Sequence, residues 1–115
     1  MKTELSALIG KTLTGISINE VDGDYGFSHE VIFRVSDSEK YKLFHKEDCS
    51  EIVYIADICG NIMDLLGSPI VESEETEEWG FYRFRTKEGC VVFRFCETGS
   101  EYYCVTIDFV KLELE

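Results

Sequence analysis

The chain has 115 residues, with 23 acidic side chains against 11 basic ones and a formal net charge of −12. At 44% hydrophobic and 13% aromatic it can build a core, which excludes a disordered acidic tail. The length suits a single domain over residues 1–115, no apolar run reaches the roughly 20 residues of a membrane helix, and the acidic excess repels bare nucleic acid phosphates.

Residues 4–9 predict a short helical turn, with Leu5, Leu8 and Ile9 on one side and Gly10 as a stop. Residues 12–18 read as a strand, Thr14, Ile16 and Ile18 alternating against Leu13, Gly15 and Ser17. Residues 19–28, rich in Asp and Gly, read as a loop. A hairpin follows: Val31, Phe33 and Val35, a turn at Asp37-Ser38-Glu39, then Tyr41, Leu43 and His45 on the same face.

Over residues 51–66 the period changes. Ile52, Ile55, Ile58 or Cys59, Ile62, Leu65 and Leu66 recur every three or four positions, the spacing of an amphipathic helix, with Asp48 or Ser50 as cap and Gly67 and Pro69 beyond its end. Val53-Tyr54-Ile55 and the central Gly60 leave a second reading open, a short strand followed by a short helix.

Three β segments close the chain, at residues 79–86, 90–96 and 102–112. A two-residue turn at Glu88-Gly89 pairs Phe84 with Phe93, and a second turn at residues 98–101 pairs Phe93 with Ile107 and Cys96 with Cys104. One face is then apolar, from Tyr82 and Phe84 through Val91, Phe93 and Phe95 to Val105, Ile107 and Phe109. The other face carries Arg83, Arg85 and Arg94, with Arg83 facing Arg94. Such a like-charge pair needs carboxylates or a bound anion nearby.

The charge is uneven. Residues 47–82 hold ten acidic side chains and no Lys or Arg, and the densest part is Glu72, Glu74, Glu75, Glu77 and Glu78. This reads either as a solvated loop or as a negative surface that steers a basic partner.

Five cysteines, an odd number, in a chain without a visible export signal point to free thiols in a reducing cytoplasm. His45, Asp48, Cys49 and Cys59 are the one local cluster of ligand-type residues, but the second close pair of a structural zinc site is missing. Asp57 and Asp64 share a helical face with Asn61 in the helical reading, where they could do acid/base work, bind a divalent cation or mark the wet side.

The segment His45-x-x-Asp48-Cys49-Ser50-Glu51-x-Val53-Tyr54-Ile55-x-Asp57-Ile58-x-Gly60, continuing through Asp64-Leu65-x-Gly67-Ser68-Pro69-Ile70, is distinctive. With Leu8-Ile9-Gly10-Lys11-Thr12 before it, and an acidic run, Tyr102-Tyr103 and Ile107-Asp108-Phe109 after it, the chain resembles a family of small uncharacterised proteins encoded by phages and bacterial mobile elements. The resemblance implies a phage setting and no particular activity.

The expected fold is a single α+β domain: a mostly antiparallel sheet of about five to seven strands with one main helix, residues 51–66, on one face. The expected function is that of a cytoplasmic, non-enzymatic inhibitor without cofactor. It blocks a basic nucleic-acid-binding surface of a host defence protein, as a CRISPR inhibitor would, through Asp57, Asp64, Glu72, Glu74, Glu75, Glu77 and Glu78. The alternatives are a metal-dependent or cysteine-based module at His45, Asp48, Cys49 and Cys59, and a virion or assembly component that pairs through a sheet edge.

Overall fold

The computed structural model describes residues 3–23, 26–45, 52–76, 80–98 and 107–112. Eight strands run through them: β1 (Gly15–Gly23), β2 (Gly26–Ser36), β3 (Glu39–Phe44), β4 (Ile52–Cys59), β5 (Glu72–Glu75), β6 (Phe81–Thr86), β7 (Gly89–Thr98) and β8 (Asp108–Leu112). They form two four-stranded antiparallel sheets, in the orders β1-β2-β3-β8 and β4-β7-β6-β5. The helical content of the described residues is two single 3-10 turns, Leu5–Leu8 and Ile62–Leu65.

Alternation places the core. Val31, Phe33, Tyr41, Leu43 and Phe109 turn inward from one sheet, and Val53, Tyr82, Phe84, Val91, Phe93 and Phe95 from the other. Phe33 and Phe84 meet at 4.9 Å between ring centroids, and Tyr41 stacks on Phe109 at 5.4 Å. Each such buried aromatic contributes on the order of 2 kcal/mol through burial. Leu8 from the first 3-10 turn and Leu65 from the second add to the same core.

The expected α+β fold with a main helix is therefore corrected to an all-β fold of two packed sheets. The helical reading of residues 51–66 fails at β4. A β-bulge between Ile55 and Asp57 adds one residue to the strand, so the core-facing positions fall at Val53, Ile55 and Ile58. The resulting three-residue step imitates a helical repeat. Gly60 then ends the strand at φ +98, with its Cα against the carbonyl of Cys90, and the helical part of the segment shrinks to Ile62–Leu65. The strand-plus-short-helix reading was the right one in outline.

Three other expectations change. Residues 19–23 and 26–28 extend a β1–β2 ribbon instead of forming a loop, with Asn19 opposite Glu30 and Gly23 opposite Gly26. The β6–β7 turn lies at Lys87-Glu88, where Thr86 pairs with Gly89, so Phe84 meets Val91 and Tyr82 meets Phe93. That shift is two residues, which keeps every side chain on its expected face. β8 pairs with β3, with Phe109 opposite Leu43, while both sides of β7 are taken by β6 and β4.

The β2–β3 hairpin keeps its expected face. Its turn is the two-residue Asp37-Ser38, and a bulge between Arg34 and Ser36 restores the pairing of Phe33 with Tyr41 and Val31 with Leu43.

Candidate functional site

The first part of the densest acidic run, Glu72–Glu75, forms a strand at a sheet edge. In β5, Ser73 turns inward, is buried, and donates its hydroxyl to the Leu5 carbonyl at 2.6 Å. Period-two alternation then sends Glu72 and Glu74 to the outer face. In the neighbouring β6, Tyr82 and Phe84 turn inward, so Arg83 and Arg85 turn outward. The register sets Glu74 opposite Arg83 and Glu72 opposite Arg85.

The four side chains form a linked ladder. Arg83 pairs with Glu74 through Nη2 and with Glu72 through Nε at 3.3 Å, and Arg85 pairs with Glu72 through Nη2. The hydrogen bond and charge of Glu74 hold the Arg83 guanidinium more firmly protonated than usual. Two strands further across the same outer face, Asp57 on β4 lies opposite Arg94 on β7. The Arg94 guanidinium sits 5.9 Å from the centre of the Phe81 ring. The expected Arg83–Arg94 opposition is thereby corrected: Arg83 faces Val92. For Arg83 and Arg85, carboxylates meet the need for partners that this arginine face carried.

Glu75 is exposed on the other side of β5 and accepts the Tyr82 hydroxyl at 3.0 Å. Burial raises the Tyr82 phenol well above its ordinary range, and the nearby Glu75 charge adds to this. Asp64 lies in the second 3-10 turn. Its carbonyl accepts from the Thr86 hydroxyl at 2.5 Å, and its carboxylate lies close against Gly89 at the β6–β7 turn.

Of the seven residues expected in the partner surface, the structure brings Glu72 and Glu74 together, with Glu75 next in the strand. Asp57 lies at the far edge of the same sheet, on a strand, and does not share a helical face with Asp64. Glu77 and Glu78 lie outside the described residues. Sequence reading missed that Arg83 and Arg85 are the carboxylates' own partners. The signal was there in two period-two pairs, Glu72-x-Glu74 and Arg83-x-Arg85, of which only the second lay on a predicted strand.

Of the ligand-type cluster, His45 follows β3 and is half-buried, and Cys59 is exposed at the end of β4. Asp48 and Cys49 lie outside the described residues, as does Cys104, while Cys96 faces Tyr54. Among the described residues, no three His, Cys, Asp or Glu side chains come together as a metal site would require. No described helix is long and apolar enough to cross a membrane.

The sequence profile of a domain of unknown function, DUF7448, matches residues 6–109. The chain belongs to the DUF7448 family. No curated protein and no solved structure matches it. The DUF7448 span begins in the first 3-10 turn and reaches β8, so it takes in the glutamate–arginine ladder and both sheets.

Proposed function

We propose that this DUF7448 protein is a non-enzymatic, phage-type binding protein that occupies a basic nucleic-acid-binding surface on a host defence protein, a CRISPR effector being the concrete case. The observation that carries the reading is the acidic edge strand β5, set within a 36-residue stretch, residues 47–82, that has ten acidic side chains and no cation of its own. Side chains on one face of a strand recur at ~6.8 Å. Glu72 and Glu74 therefore present a regular row of charge, as the phosphates of a nucleic acid strand do. Exposed ion pairs are weak and salt-screened, which lets a partner's arginines and lysines take over carboxylates that Arg83 and Arg85 hold in position.

Glu72, Glu74 and Glu75 form the contact, with Glu77 and Glu78 next along the chain and Asp57 and Asp64 at its margins. The reading is tested by capture from nuclease-treated bacterial lysate at low and high salt, followed by elution with duplex DNA. The expected result is a nucleic-acid-binding protein that is retained at low salt and displaced by DNA. A partner that ignores both salt and DNA contradicts the reading.

A further inference from the structure

The outer face of the other sheet sets two basic residues side by side. Arg34 on β2 and Lys40 on β3 are direct cross-strand partners, and Gly15 on β1 lies on the far side of Arg34 in the same row. Like charges set directly opposite each other destabilise a sheet unless something negative joins them. Nearby lysines have such company: Lys11 pairs with Glu39 at 3.0 Å and Lys42 with Glu30 at 3.8 Å. Arg34 and Lys40 have no ion-pair partner among the described residues, in a chain with more than twice as many acidic as basic side chains.

These two cations line a cavity of about 390 Å³ whose apolar walls are Ile16, Ile32, Met63 and Leu66. That volume falls within the usual range for small-molecule sites. Met63 is 63% exposed and offers its apolar side chain to the opening. Gly15 supplies the room: a Cβ there would lie 2.7 Å from Arg34 Nη2. The β-bulge between Arg34 and Ser36 sits beside the same residue, where it sets the direction of the strand.

We infer that this cavity binds a small organic anion, a single carboxylate or phosphate group on an apolar body. The head group joins Arg34 and Lys40 and removes their repulsion, and the body lies against Ile32, Met63 and Leu66. The site lies on the opposite sheet from the glutamate ladder and stands independently of the partner-binding reading.

Titration with octanoate and octyl phosphate, followed by amide NMR and calorimetry, tests it. Octyl glucoside serves as the neutral tail and inorganic phosphate as the bare head group. The inference predicts saturable shifts at Gly15, Ser17 and Arg34 with an amphiphilic anion, and binding of each control at least about tenfold weaker. Preference between the two anions identifies the head group. Arg34→Gln and Lys40→Gln should each weaken binding about tenfold while leaving the melting temperature unchanged or higher, because each removes a like-charge opposition. Gly15→Ala, which pushes the guanidinium aside, should weaken binding in a folded protein. Equal binding of octyl glucoside, undiminished binding by the glutamine variants, or no shift at these amides with either anion overturns it.

Discussion

Ile55 donates its backbone N–H to Nδ1 of His29 at 2.8 Å, a bond that runs from β4 in one sheet to β2 in the other. It falls beside the β4 bulge, where regular pairing with β7 is interrupted. His29→Phe fills the space but leaves that N–H without its acceptor, at an expected cost of ~1–2 kcal/mol. Urea unfolding should show this loss, and His29→Gln, which keeps an acceptor, should recover part of it.

Gly60 ends β4 in a left-handed conformation, and a Cβ there would lie 2.2 Å from the Cys90 carbonyl oxygen. The neighbour is backbone, so it cannot swing away. Gly60→Ala combines the conformational penalty of ~1–2 kcal/mol with that clash. It should lower stability by ~2 kcal/mol or more in thermal or urea unfolding.

Burial, with a hydrogen bond to Glu39, pushes the Tyr41 phenol up from 10 to about 12, and burial raises Tyr82 further. A phenol whose folded value exceeds its unfolded one stabilises the fold fully below the unfolded value and loses that contribution as pH rises through the folded one. Stability should therefore decline between pH 10 and about 12. Circular dichroism against pH, with phenolate absorbance as a second probe, should show a shallower decline for Tyr41→Phe.

Arg83 and Arg85 neutralise the two glutamates that the proposed function assigns to a basic partner. Changing both arginines to glutamine frees Glu72 and Glu74 and makes the surface more negative by two charges. Partner binding should tighten at low salt, and the gain should vanish at high salt. Weaker binding by the double variant would mean that the arginines themselves touch the partner.

Local patterns carried much of the fold. Strict alternation set the inward faces of β2, β3, β6 and β7, and it survived a two-residue error in the β6–β7 register because a shift of two preserves facing. What stayed hidden was the pairing of strands distant in sequence, β4 with β7 and β3 with β8. Local alternation says which way Phe109 points but not that Leu43 is its neighbour. The bulge near Ile55 concealed a strand behind helical spacing. Composition did the same at the candidate site: Glu72 and Glu74 read as surplus charge, although their period of two already marked a strand face that matches Arg83 and Arg85.

The most direct test of the partner-binding account is the salt dependence of affinity for the captured protein, compared between the native chain and a variant with Glu72, Glu74, Glu75, Glu77 and Glu78 changed to glutamine. The account predicts that native affinity falls steeply with salt, that the variant binds far more weakly at low salt, and that its salt dependence is shallower. Equal affinity and equal slope for the two proteins would contradict it.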